Sequence, residues 1–124
     1  MPFVRSVEAV THDIHGVGFV AYANSATGAK EVCAWRGEVP AGTPGVAHTV
    51  NREEIIHVMT GSLRFHIDGE VADLSAGDVA IVPAGAEVRL DNLSDASASV
   101  WTATTVGLRA TLADGSTLNP PWAN

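Results

Sequence analysis

Nowhere does this chain sustain the three- and four-residue apolar spacing of an amphipathic helix. Short apolar runs alternate instead with Gly, Pro, Asn and Asp, and that punctuation commits the chain to an all-β fold. Candidate strands fall at 4–10, 16–23, 30–39, 46–50, 54–59, 63–67, 70–74, 79–82, 87–91 and 98–106. The breaks between them include 24–28, 40–45, 75–78, 83–85 and 92–97. The closing segment 108–124, which contains Asn119-Pro120-Pro121, reads as irregular, with Trp122 docking it.

Two turns set the register. Asp68-Gly69 is a strong two-residue hairpin signal. It pairs Ile67 with Glu70, His66 with Val71, Phe65 with Ala72 and Arg64 with Asp73. Thr60-Gly61, read as a second two-residue turn, places Val58 against Leu63 and Ile56 against Phe65. Side chains alternate between faces along a strand. One face then carries Glu54, Ile56, Val58, Leu63, Phe65 and Ile67, and it is the apolar, inward one. Ile55, His57, Met59, Arg64, His66 and Val71 point outward, with Arg64 and Asp73 forming a cross-strand pair. Glu54 is the anomaly of the inner face. A carboxylate among apolar side chains is costly unless it has a partner or reaches solvent at a mouth.

At 124 residues the chain is long enough for one domain with a single core. Seven Lys and Arg against fourteen Asp and Glu give a net charge of −7, which repels nucleic acid and anionic lipid. A neutral or basic small organic molecule suits that surface. The single cysteine, Cys33, cannot form an internal disulfide, and the N-terminal residues lack a signal-peptide layout. A cytoplasmic protein with no membrane span is therefore expected.

Two longer patterns span the middle of the chain. Residues 42–61 read Gly42-x5-His48-x-Val50-x3-Glu54-x6-Gly61, and residues 77–92 read Gly77-x5-Pro83-x-Gly85-x2-Val88-x3-Asn92. This resembles the two motifs of the cupin superfamily, G-x5-H-x-H-x3,4-E-x6-G and G-x5-P-x-G-x2-H-x3-N. Every glycine, the proline, the first histidine, the glutamate and the asparagine stand in place. The resemblance covers about residues 30–107 and implies a double-stranded β-helix, the jelly-roll barrel. Residues 1–29 then form N-terminal strands at a dimer contact, and 108–124 pack on the barrel. A homodimer is expected, since cupins often pair.

The resemblance also implies a ligand set for a metal: two histidines and a glutamate from the first motif and a histidine from the second. Only His48 and Glu54 match. Val50 and Val88 occupy the other two positions, and a transition metal usually needs three or four protein ligands. The favoured reading is therefore no cofactor, with His48 and Glu54 as an acid–base pair in a dry pocket. Such a pair suits isomerisation, epimerisation, cyclisation or elimination. Two alternatives stay open. One is a metal-dependent dioxygenase or decarboxylase holding a divalent ion on His48 and Glu54, with waters or His12 and His15 completing the shell. The other is a non-catalytic barrel that binds a small ligand.

Cys33, Trp35, Val50, Ile56, Phe65 and Val88 are expected to line the substrate pocket. Trp35 suits core packing or stacking on a ligand ring. Cys33 lacks a basic activator nearby and reads as a buried thiol rather than a nucleophile. Asn92 reads as a turn residue ending its strand.

Overall fold

The structure is a computed structural model describing residues 2–124. It contains twelve strands: β1 (Val10–Ile14), β2 (Val17–Ala23), β3 (Val32–Val39), β4 (His48–Val50), β5 (Glu54–Thr60), β6 (Ser62–Ile67), β7 (Glu70–Ser75), β8 (Val79–Val82), β9 (Glu87–Asp91), β10 (Ala98–Thr105), β11 (Ala110–Leu112) and β12 (Thr117–Leu118). They form two six-stranded sheets. The first has the order β1-β2-β3-β10-β5-β8 and the second β12-β11-β4-β9-β6-β7. All pairings are antiparallel. The core lies between the sheets, where Cys33, Val58, Leu63, Phe65, Val82 and Val88 are each at most 2% exposed. This is the all-β jelly roll expected from the motifs. No helix among the described residues is long and apolar enough to cross a membrane.

The Asp68-Gly69 hairpin forms with the expected register from Ile67↔Glu70 to Arg64↔Asp73. Asp68 and Gly69 take φ of +48° and +83°, the left-handed pair that a two-residue hairpin with matching twist needs. Arg64 Nε donates to Asp73 Oδ1 at 2.8 Å.

The Thr60-Gly61 hairpin does not form. β5 pairs with β10 and β8 in one sheet, whereas β6 pairs with β7 and β9 in the other. The chain crosses between sheets at Gly61. The inward assignment of Glu54, Ile56, Val58, Leu63 and Phe65 holds regardless, because the crossing turns both inner faces toward one core. The outward stripe of Ile55, His57, Met59 and Val71 is consequently divided, with Val71 on β7 of the other sheet.

Both ends of the chain also differ from expectation. The strand foreseen at 4–10 is replaced by a short 3-10 turn, Ser6–Glu8, followed by β1. A tight turn at His15 and Gly16, with φ of +53° and +79°, then folds β1 onto β2 with Ile14 opposite Val17. The tail is not irregular: β11 pairs with the edge of β4 and β12 with β11. Trp122 is buried and stacks on Phe19, with ring centroids 3.9 Å apart and planes 7° from parallel. The tail thus closes one side of the barrel.

Asn92 does more than end a strand. It is fully buried; its Nδ2 donates to the carbonyls of Val39 and Ala96 at 3.0 and 2.9 Å. Its Oδ1 accepts from the Ser94 backbone N–H and hydroxyl. One amide thereby satisfies backbone groups at the end of β3 and in the loop before β10.

Candidate functional site

Glu54 opens β5, and the alternation of that strand turns its side chain inward with Ile56 and Val58. It is 5% exposed. Burial pushes its carboxyl from an ordinary value of 4.5 up to about 7, and no neighbouring charge or hydrogen bond offsets that shift. A group poised there exchanges a proton readily near neutral pH.

His48 opens β4 in the opposite sheet. Its Nδ1 lies 2.9 Å from the carbonyl oxygen of Val46. A carbonyl only accepts, so Nδ1 carries the hydrogen and Nε2 of the neutral ring is the free acceptor. The loop before β4 is clamped to the end of β9. The Gly45 N–H donates to Asp91 Oδ1 at 2.7 Å, and the Asn92 N–H donates to the Thr43 carbonyl at 2.9 Å. Gly45 is required by close approach, since a Cβ there would overlap the Leu90 carbonyl. Asp91 is itself buried. Burial alone would raise its carboxyl, but the Gly45 N–H and the Arg89 and His66 side chains outweigh that and hold it below the ordinary range.

His48 and Glu54 do not touch each other. They line one cavity of about 160 Å³ from opposite sheets, partly open to solvent. Trp35, Val50, Ile56 and Val88 line it too. Cys33 and Phe65 do not; both are packed into the core behind the wall. The Cys33 thiol is pushed up by burial and by the nearby Glu54 charge, so it stays protonated and a poor nucleophile. Val88 lies directly opposite His48 in the β4–β9 register, and Val50 opposite Ala110.

Sequence reasoning missed much of the wall. Ile14, His15, Val17 and Phe19 come from the β1–β2 hairpin, and Leu108, Leu112, Leu118 and Trp122 from the tail. Two signals point to them. Val17 and Phe19 alternate as an inward strand face should, and Asp114-Gly115 is a turn dipeptide of the same kind as Asp68-Gly69. His15 reaches the cavity; His12 is not part of its lining and lies against Trp122, ring centroids 6.1 Å apart.

The donor set does not fit a four-ligand metal centre. Val50 and Val88 offer no donor atom, and the described residues hold no cluster of three or more His, Cys, Asp or Glu able to share an ion.

The chain matches the family model of the cupin domain over residues 35–105. No curated protein sequence matches it. Among solved structures it is similar to an RmlC-like cupin from Shewanella frigidimarina, with TM-score 0.74, 18% identity, and coverage of 85% of this chain and 90% of that one. It is also similar to the polyketide cyclase RemF from Streptomyces resistomycificus, with TM-score 0.75, 14% identity, and coverage of 85% and 79%. A predicted oxalate decarboxylase from Thermotoga maritima aligns with TM-score 0.72 at 21% identity, over 83% and 97% of the two chains. Both sequence motifs, the two-sheet barrel and the span of the family match agree: the chain belongs to the cupin domain family.

Proposed function

We propose that this protein is a small-molecule enzyme of the cupin barrel that moves a proton on a substrate held between Glu54 and His48. The observation that carries this reading is the solitary, desolvated Glu54 carboxyl, with a value of about 7, facing a cavity whose opposite wall carries His48. At neutral pH the carboxyl is divided between its acid and base forms, so it serves either role. The His48 ring, held in one tautomer by the Val46 carbonyl, presents Nε2 as the complementary group. A substrate between opposite sheets can lose a proton on one side and regain it on the other, which is the chemistry of isomerisation, epimerisation or cyclisation. The likeness to a polyketide cyclase is compatible with this; cupin barrels host many chemistries, and the site rather than the fold supports the reading.

The test is exchange of α-protons in D2O across a panel of small enolisable ketones, followed by NMR. Glu54→Gln and His48→Ala should each slow the exchange by about a hundredfold or more, within the range for general acid–base groups. Their near-UV circular dichroism should match that of the parent. Exchange that persists unchanged in both variants removes the proton-transfer role from this pair.

A further inference from the structure

The cavity wall is almost wholly apolar. Phe19, Trp35 and Trp122 supply aromatic faces, and aliphatic side chains fill most of the remainder. Its polar side chains are Glu54, His48, His15 and Thr102. No lysine or arginine lines it. Arg89, one strand position from the cavity-lining Val88 and Leu90, points the other way and is engaged by Asp91 and His66. Arg36, next to Trp35 in β3, is paired with Glu38 at 2.6 Å.

An anion entering this space meets a carboxyl and no lysine or arginine. Burying an unpaired charge is costly, and proximity to ionised Glu54 adds to that cost. A cation would find one carboxylate but few other polar groups to replace its water, so its pairing energy does not cover its desolvation. A neutral molecule meets neither penalty. Size narrows the choice further. The volume of about 160 Å³ is close to that of engineered apolar cavities, about 150 Å³, that take up benzene. Flat aromatic walls favour a flat ring.

From these observations we infer that the site selects an uncharged, single-ring organic molecule carrying one hydrogen-bonding oxygen, and rejects its anionic and cationic counterparts. The inference rests on the proton-transfer reading only in setting that oxygen toward Glu54 and His48. The oxygen is a carbonyl or enol, placed to meet Glu54 from one sheet or His48 from the other while the ring meets the apolar walls.

Three probes of similar shape separate the possibilities: acetophenone, benzoate and benzylamine, titrated into the whole ¹⁵N-labelled chain at pH 7.5. Acetophenone should shift the indole N–H signals of Trp35 and Trp122 and saturate, with a Kd at least tenfold below those of the other two. Benzoate or benzylamine binding as tightly as acetophenone, or acetophenone leaving both indole signals unmoved, overturns the inference. The readout is binding, so it is independent of turnover. If Glu54→Gln and His48→Ala keep full proton exchange while acetophenone binds selectively, the proton-transfer reading fails and the ligand class stands. If exchange depends on Glu54 but an ionic probe binds best, the ligand class fails and the proton-transfer reading stands.

Discussion

A Gly61→Ala variant should lose about 2–5 kcal/mol of folding stability. Gly61 marks the point where the chain leaves one sheet for the other, and its φ is +75°. An L-residue in that region costs about 1–2 kcal/mol. The second cost is steric. A Cβ at this position would lie 2.8 Å from the Ser97 carbonyl oxygen and 2.9 Å from the Ala98 Cα, both backbone atoms at the entry to β10. Neither atom can swing aside as a side chain would, and overpacking of this kind costs about 1–3 kcal/mol. Gly85 provides the control. It has a similar φ of +87°, but no atom lies within 4 Å of the site of its missing Cβ. Gly85→Ala should therefore show only the conformational part, about 1–2 kcal/mol. Urea unfolding of both variants checks this. Equal losses at the two glycines would mean that the β5–β6 crossing is looser than described.

The second large effect is one of pH. The Glu54 carboxyl stands at about 7 in the folded protein and near 4.5 when unfolded. A raised folded value means that the native state holds its proton more tightly. The stabilising contribution is fully present below pH 4.5 and is lost as pH rises toward and through 7. At 1.36 kcal/mol for each pH unit between those values, the loss is about 3 kcal/mol. Glu54→Gln carries no titrating group at this position and escapes the loss. It should match the parent at pH 4.5 and exceed it by about 3 kcal/mol at pH 8.5. Asp91 and Asp73 have depressed values and act in the opposite sense, losing stability as pH falls. The difference between parent and variant cancels their contribution. A parent and variant with parallel stability profiles would show that Glu54 is solvated.

The central barrel was legible because its signals are local and redundant. Asp68-Gly69 fixed a register by itself, since only a left-handed two-residue turn joins two twisted strands so closely. The alternation of β5 and β6 identified the inner face, and with it Glu54, without any knowledge of which strands pair. That is also why the Thr60-Gly61 hairpin was misread. A glycine at positive φ serves a hairpin and a crossing between sheets equally well, and pairing partners distant in sequence decide between them. β5 pairs with β10, some forty residues away, through Ile56↔Thr102 and its neighbours.

The site was legible in part for the same reason. His48 and Glu54 stood out by type and spacing, yet their relation did not. Five residues lie between them in sequence, but they belong to different sheets and line one cavity without bonding directly. Cys33 and Phe65 share inward parity with true wall residues; parity says which face a side chain takes, and depth within the barrel says whether it meets the cavity. The tail was misjudged through its prolines, although Asp114-Gly115 marked the β11–β12 turn. Its contribution to the wall depends on pairing with the short β4, which no local pattern reveals.

The proposed chemistry requires a carboxyl held dry beside an open cavity. Glutamate labelled with ¹³C at its carboxyl, with Glu54→Gln identifying the signal, lets that group be titrated directly by NMR. A midpoint near 7 is the predicted result. A midpoint near 4.5 would show an ordinary, hydrated glutamate and would contradict both the pH dependence and the proton-transfer chemistry.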